Sequence, residues 1–205
     1  ESPDQVAALV GMGRAWLNLA TGWHGDPRPA ADHASEALQR ALELAGCHLL
    51  ARGETAEAER ELLLARRLDP QYLNTRMHMV NLRITQGRLD EAEAELEGLR
   101  DVAASGATPI GTAALIAMLR GEPHEAVTLY ERVCELIPGH PNAYVCLAAA
   151  KGMAGDVTGA DALVAMALER FGERRVSPYA LAIVATRCGR PDRAFAHLDD
   201  AITRR

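Results

Sequence analysis

The chain has 205 residues, 48% of them hydrophobic and only 4% aromatic, with a formal net charge of -6. That hydrophobic share suffices for a folded core and argues against disorder, while abundant alanine with few aromatics favours closely packed helices over a β-sandwich or barrel. The acidic balance excludes a nucleic-acid surface over most of the chain, because phosphate binding needs a basic face, and no run of eighteen apolar residues exists to span a membrane.

In chain order, the sequence opens on Glu1 without an initiator methionine and reads as an excised fragment or a mature form. Val6 to Ala20 has the apolar spacing of an amphipathic helix, and Thr21 to Pro29 reads as a loop by its glycines and prolines. Ala34, Leu38 and Ala41 begin a further helical pattern, but Gly53 follows only twelve residues after Ala41, too soon for a break and a second full helix. The spacing therefore predicts one continuous helix from Ala30 to Arg52, with a kink near Gly46 as a variant.

A period then sets in. Glycines stand at Gly53, Gly87, Gly121, Gly155 and Gly189, each 34 residues after the last, and Ala58, Ala92, Ala126, Ala160 and Ala194 keep the same step. A bulky residue follows each alanine by four (Leu62, Leu96, Tyr130, Val164, Leu198), and a small or apolar one by three more (Ala65, Leu99, Val133, Ala167, Ala201). Those spacings mark one face of a helix. Pro70 and Pro138 end the second helix of a unit, with Ala104 and Gly172 at the equivalent places. Each unit thus reads as helix, glycine turn, helix and breaker. The glycine can take a positive φ and close the first helix, and the small residues Gly46, Ala114, Ala148 and Ala182, with Val80 between them, let helices approach.

The period, the turn glycine, the alanine five residues later and the terminal proline resemble the tetratricopeptide repeat over Gln39 to Arg205. The position where the family's first helices carry their usual aromatic holds Leu42, Arg76, Ile110, Tyr144 and Pro178 in the successive units. The resemblance implies an all-α, right-handed α-solenoid of antiparallel helix pairs. Residues 1–38 would form a capping helix and an irregular first repeat, and residues 39–205 five repeats (39–72, 73–106, 107–140, 141–174 and 175–205). The closing stretch, with Ser177 to Ala182, Gly189, Arg193 to Phe195 and His197-Leu198, looks like the last repeat of bacterial signalling proteins whose array follows a winged-helix regulator, cyclase or kinase module. That likeness implies a regulatory arm of a larger protein. The seven arginines and four acids between Phe171 and Arg205 are read as a solvated face in preference to a basic docking patch.

Motifs that carry chemistry are missing from the sequence. The seven histidines show no metal-ligand spacing, there is no phosphate-binding loop or nucleophile elbow, and Gly11 to Trp16 (GMGRAW) lacks the third glycine of a dinucleotide fingerprint. Acid pairs such as Glu57 with Glu61 and Glu91 with Glu95 read as solvated surface. The expectation is no enzyme activity, no catalytic residue, no metal and no cofactor. Four cysteines are too sparse for a disulfide framework. Cys134 and Cys146 flank the turn IPGHPN and could meet across antiparallel helices, although two free thiols are favoured over a bridge. The cytoplasm is the favoured compartment and the periplasm the alternative.

In the family the first helices line a concave groove, which here would be faced by Arg40, Glu43, Cys47, Asn74, Met77, Asn81, Ile84, Thr108, Gly111, Leu115, Met118, Asn142, Val145, Tyr179 and Ile183. The family's cationic carboxylate-gripping positions are not matched, which argues against a carboxylate clamp. The candidate peptide-binding set is Asn74, Met77, Asn81, Ile84, Thr108, Leu115, Met118, Asn142, Val145 and Tyr179. It offers flexible apolar contacts beside amides that can pair with backbone, suited to a helix or an extended peptide. Methionine at this spacing reads equally well as core. The expected partner is a protein or peptide segment, with no nucleic acid and no membrane insertion, and two copies pairing through the groove or a terminal face is a further reading. The rival is a small-molecule sensor or enzyme using the groove as a pocket, with His78, Asn81 and Tyr179 as its best candidates.

Overall fold

The computed structural model describes residues 9–10, 28–99 and 106–203. Among the described residues ten α-helices are bounded: α1 (Arg28–Ala51), α2 (Thr55–Leu68), α3 (Leu73–Thr85), α4 (Leu89–Glu97), α5 (Ala107–Arg120), α6 (Pro123–Leu136), α7 (Pro141–Met153), α8 (Val157–Phe171), α9 (Pro178–Arg187) and α10 (Pro191–Thr203). Among the described residues none is long and apolar enough to cross a membrane.

The turn glycines behave as their spacing predicts. Gly53, Gly87, Gly121, Gly155 and Gly189 have φ of 78°, 72°, 81°, 87° and 69°. A Cβ there would meet no atom within 4 Å, so the demand is on backbone conformation and not on space. In each turn the residue after the glycine donates its N–H to the carbonyl five residues back, from Glu54 to Leu49, Arg88 to Arg83, Glu122 to Ala117, Asp156 to Lys151 and Arg190 to Ala185, at 2.8–2.9 Å. This is the Schellman closure of a helix C-terminus, which satisfies carbonyls that would otherwise be left open. The next helix then starts on a favourable first residue: Pro123 and Pro191 have no N–H to leave unpaired, and the Asp156 carboxylate accepts from Gly159 N at 2.9 Å.

The chain divides into two compact units, Glu1–Val102 and Ala103–Arg205. In the first, α1 packs on α2, α2 on α3, and α3 on α4, with α1 also meeting α3. In the second, α5 packs on α6, α6 on α7, α7 on α8 and α9, and α9 on α10. The alanines of the repeat are the contact points: Ala58, Ala92, Ala126 and Ala160 have no exposed surface and Ala194 is buried. Gly46 serves the same end in α1, since a Cβ there would come within 2.7 Å of Leu62 Cγ.

Helix α1 is continuous, as the short spacing between Ala41 and Gly53 requires. It starts at Arg28 instead of Ala30, with Pro29 in its first turn, where a missing N–H costs no helical bond. Helix α4 is shorter than the repeat implies: it stops at Glu97, well before Ala104, with Gly98 as C-cap. The Arg76 guanidinium donates to the Gly98 carbonyl at 2.7 Å and closes that end. Apart from Leu9 and Val10, which are helical, and Arg28 and Pro29, which belong to α1, the expected N-terminal helix and loop lie outside the described residues.

Candidate functional site

The groove-facing set divides by burial. On α3, Asn74 and Asn81 are exposed, Ile84 is half-buried and Met77 is buried. On α5, Thr108 and Leu115 are exposed and Met118 is buried; on α7, Asn142 is exposed and Val145 buried; on α9, Tyr179 is 61% exposed. Met118 and Val145 belong to the core of the second unit, with Ile110, Tyr130, Leu147 and Leu181. Met77 is likewise buried in the first unit. The remaining seven residues are those that offer surface to a ligand. Asn74, Asn81 and Ile84 share one stripe of α3, Thr108 and Leu115 one stripe of α5.

Between α1 and α3 lies a feature that single-helix spacing does not disclose, a polar seam. Gln39 Nε2 donates to Thr75 Oγ1 at 2.7 Å, both side chains buried, and Gln39 Oε1 has no hydrogen-bond partner among the described residues. One turn on, Glu43 is 1% exposed. Its carboxylate accepts from Arg40 Nη1 at 2.8 Å and lies 3.1 Å from His78 Nε2. Another turn on along α1 stands Cys47, a free and half-buried thiol. Burial alone would push the Glu43 carboxyl up, but the bonds from His78 and Arg40 outweigh it and leave it below its ordinary value. Cys47 and then Glu43 hold the His78 proton, against the opposing effect of burial, and raise the imidazole to about 9. His78 is therefore charged at neutral pH and pairs with Glu43.

The second seam of this unit is also charged. Buried Arg83 donates to Glu59 Oε1 at 2.6 Å and to Gln86 Oε1 at 2.9 Å, while Gln86 Nε2 donates to Glu59 Oε2 at 3.0 Å. The Arg83 bond, followed by that of Gln86, holds the Glu59 carboxyl below its usual range. Ion pairs 29 residues apart recur from one repeat to the next: Glu59 with Arg88 at 3.8 Å, Arg66 with Glu95 at 2.9 Å and Asp161 with Arg190 at 2.5 Å. The signal existed in the sequence as opposite charges at offsets near one repeat, 29 for these and 35 for Glu43 with His78. Searching for charge pairs only at helical offsets of three and four misses it.

The core of the second unit is apolar by contrast. Tyr144 fills the place of a usual repeat aromatic, 5.6 Å from the Phe171 ring centroid, and its hydroxyl donates to the Pro138 carbonyl at 3.1 Å. Arg170 lies over both rings. All four cysteines are free thiols. Burial pushes Cys134 up to about 11, with Cys146 beside it adding to the effect, and burial raises Cys146 and Cys188 as well. Among the described residues no three His, Cys, Asp or Glu side chains converge to hold a metal ion.

Neither a family model nor a curated protein matches this sequence. Its structure is similar to that of the thermophilic TPR protein TTC0263 from Thermus thermophilus, with TM-score 0.67 and 17% identity over 80% of this chain and 90% of that one. It is similar also to BtubC (BKLC) from P. vanneervenii, with TM-score 0.59 and 18% identity over 99% and 91% of the two chains. A tetratricopeptide repeat protein from Parabacteroides merdae ATCC 43184 matches with TM-score 0.53 and 19% identity over 82% of this chain and 66% of that one. Identities this low speak to architecture alone. Together with five identical glycine turns and the buried repeat alanines, they identify an all-α tetratricopeptide-repeat fold made of antiparallel helix pairs.

Proposed function

We propose that this chain is a non-enzymatic interaction scaffold that binds a protein or peptide segment on the exposed face of its first helices. The repeats would run 39–72, 73–106, 107–140, 141–174 and 175–205 behind an irregular N-terminal part. The observation that carries the reading is the character of the exposed residues: Asn74 and Asn81 in the first unit and Asn142 in the second offer amides to a backbone, and Leu115 and Tyr179 of the second unit stand uncovered. Exposed apolar groups together with amides suit an extended or helical segment better than a charged ligand. The likeness of the closing repeat to those of bacterial signalling proteins supports placing the scaffold in a regulatory arm of such a protein.

The test is selection of binders from a displayed peptide library on the intact chain, followed by titration against two variants. Leu115→Glu with Tyr179→Glu alters exposed first-helix positions and should leave helicity intact while weakening binding at least about tenfold, or about 1.4 kcal/mol. Leu136→Glu, on the second helix α6, should bind as the wild type does. Equal loss in both variants, or loss in neither, would move the site off the first helices.

A further inference from the structure

On α7, against which α9 packs, Val145 and Ala149 are 2% and 4% exposed. One repeat on, Tyr179 and Ile183 of α9 hold the same places and are 61% and 38% exposed, because no later first helix covers them among the described residues. The second helix α10 shows a sharper change. The ion pairs that join one repeat to the next take their second-helix partners from Glu59, Arg66 and Asp161. Phe195 stands at the place of Glu59 and Asp161, and Ile202 at that of Arg66; they are 67% and 66% exposed. Leu168, one repeat before Ile202, is packed on the core. The terminal unit of a solenoid ordinarily turns a polar face to solvent. Here large apolar side chains occupy the ionic stacking positions, so the face is not matched to a further ion-paired repeat.

We propose that the outer face of α9 and α10 is a self-association surface whose occupant is the same face of a second copy of this chain, related to the first by a twofold axis. An isologous contact sets each residue near the axis against its own counterpart. A charge there repels itself, whereas Phe195 and Ile202 bury apolar surface on both sides at once. A few large side chains at the centre of an interface, aromatic ones above all, carry most of its binding energy. The charges on the face fit the same occupant. Exposed Asp199 lies between Phe195 and Ile202 on one stripe of α10, and exposed Arg187 continues the stripe of Tyr179 and Ile183 on α9. A second copy supplies one such arginine for each such aspartate, so the surface complements itself in charge as well as in apolar area. The inference goes beyond peptide binding and does not rest on it, because Phe195 and Ile202 belong to a second helix.

The test measures the mass of the intact chain by analytical ultracentrifugation from about 1 to 100 μM, the range in which a modest interface associates. A two-chain mass is expected. Phe195→Glu with Ile202→Glu should weaken the association at least about hundredfold, with helicity retained in circular dichroism, because a twofold interface meets each substitution twice. Leu136→Glu, exposed on α6, should associate as the wild type does. A single-chain mass throughout, or pairing that the double variant leaves unchanged, overturns the proposal. Should that variant unfold, a photoreactive benzoylphenylalanine at position 195 takes its place: crosslinks to α9 or α10 of the second copy support the twofold contact, and crosslinks to any other helix, or none, overturn it. Peptide binding, which Leu115→Glu reads on α5, is untouched by either outcome.

Discussion

Position 43 of the first unit and position 145 of the second occupy the same place in the repeat, three periods apart, and are both nearly sealed from solvent, at 1% and 2% exposure. One is a glutamate bonded to Arg40 and His78; the other is a valine in an apolar cluster. The residues equivalent to His78 and Cys47 are Ala180 and Ala149, which carry no charge. The same backbone scaffold therefore accepts an ionic seam or a hydrocarbon one. The glycine turns and buried alanines are shared by both units, so they set the helix pairing, while the side chains between successive first helices are free to take on chemistry.

Exchanging the two characters breaks the comparison most severely. Val145→Glu would bury a carboxylate with no histidine across from it and should destabilise the second unit by about 3–5 kcal/mol, read by urea denaturation with circular dichroism. The reciprocal Glu43→Val should cost less, about 1–3 kcal/mol, because His78 can shed its proton once its counter-charge is gone. Equal effects would mean that the two seams are not distinct. Ala126→Leu tests the shared part: at a position with no exposed surface, overpacking should cost about 1–3 kcal/mol in thermal or chemical denaturation. A neutral result would show that the repeat alanines are not contact points.

The smallest effect is the most specific to the ionic seam. His78 is raised to about 9 in the fold, so its contribution is fully present below the ordinary histidine value near 6.5 and is lost as pH rises through about 9. Glu43 is lowered, so its share is present above the ordinary carboxylate value and is lost as pH falls below it. The stability difference between wild type and His78→Gln, about 1 kcal/mol near neutrality, should shrink toward both limits when melting is followed from acid to alkaline pH. A difference independent of pH would leave His78 a packing residue only.

The helical class, the period and the turn positions were legible in the sequence because each depends on a local rule. Glycine at 34-residue steps meets a conformational demand of its own turn, and the continuity of α1 follows from there being too few residues before Gly53 for a break. The shortened α4 was not legible, because its end depends on Arg76 reaching across from α3 to the Gly98 carbonyl. Nor was the division of the candidate groove into surface and core. Met77 and Asn81 sit one turn apart on the same helix, and whether each meets solvent or a neighbour depends on how far the adjacent helices extend over them. The chain by itself determined the helical class, the glycine turns and the continuity of α1, since these follow from backbone conformation and nearest-neighbour spacing. Only the tertiary structure decided that Glu43 and His78 meet, because groups a full repeat apart in sequence become neighbours only when successive first helices pack together.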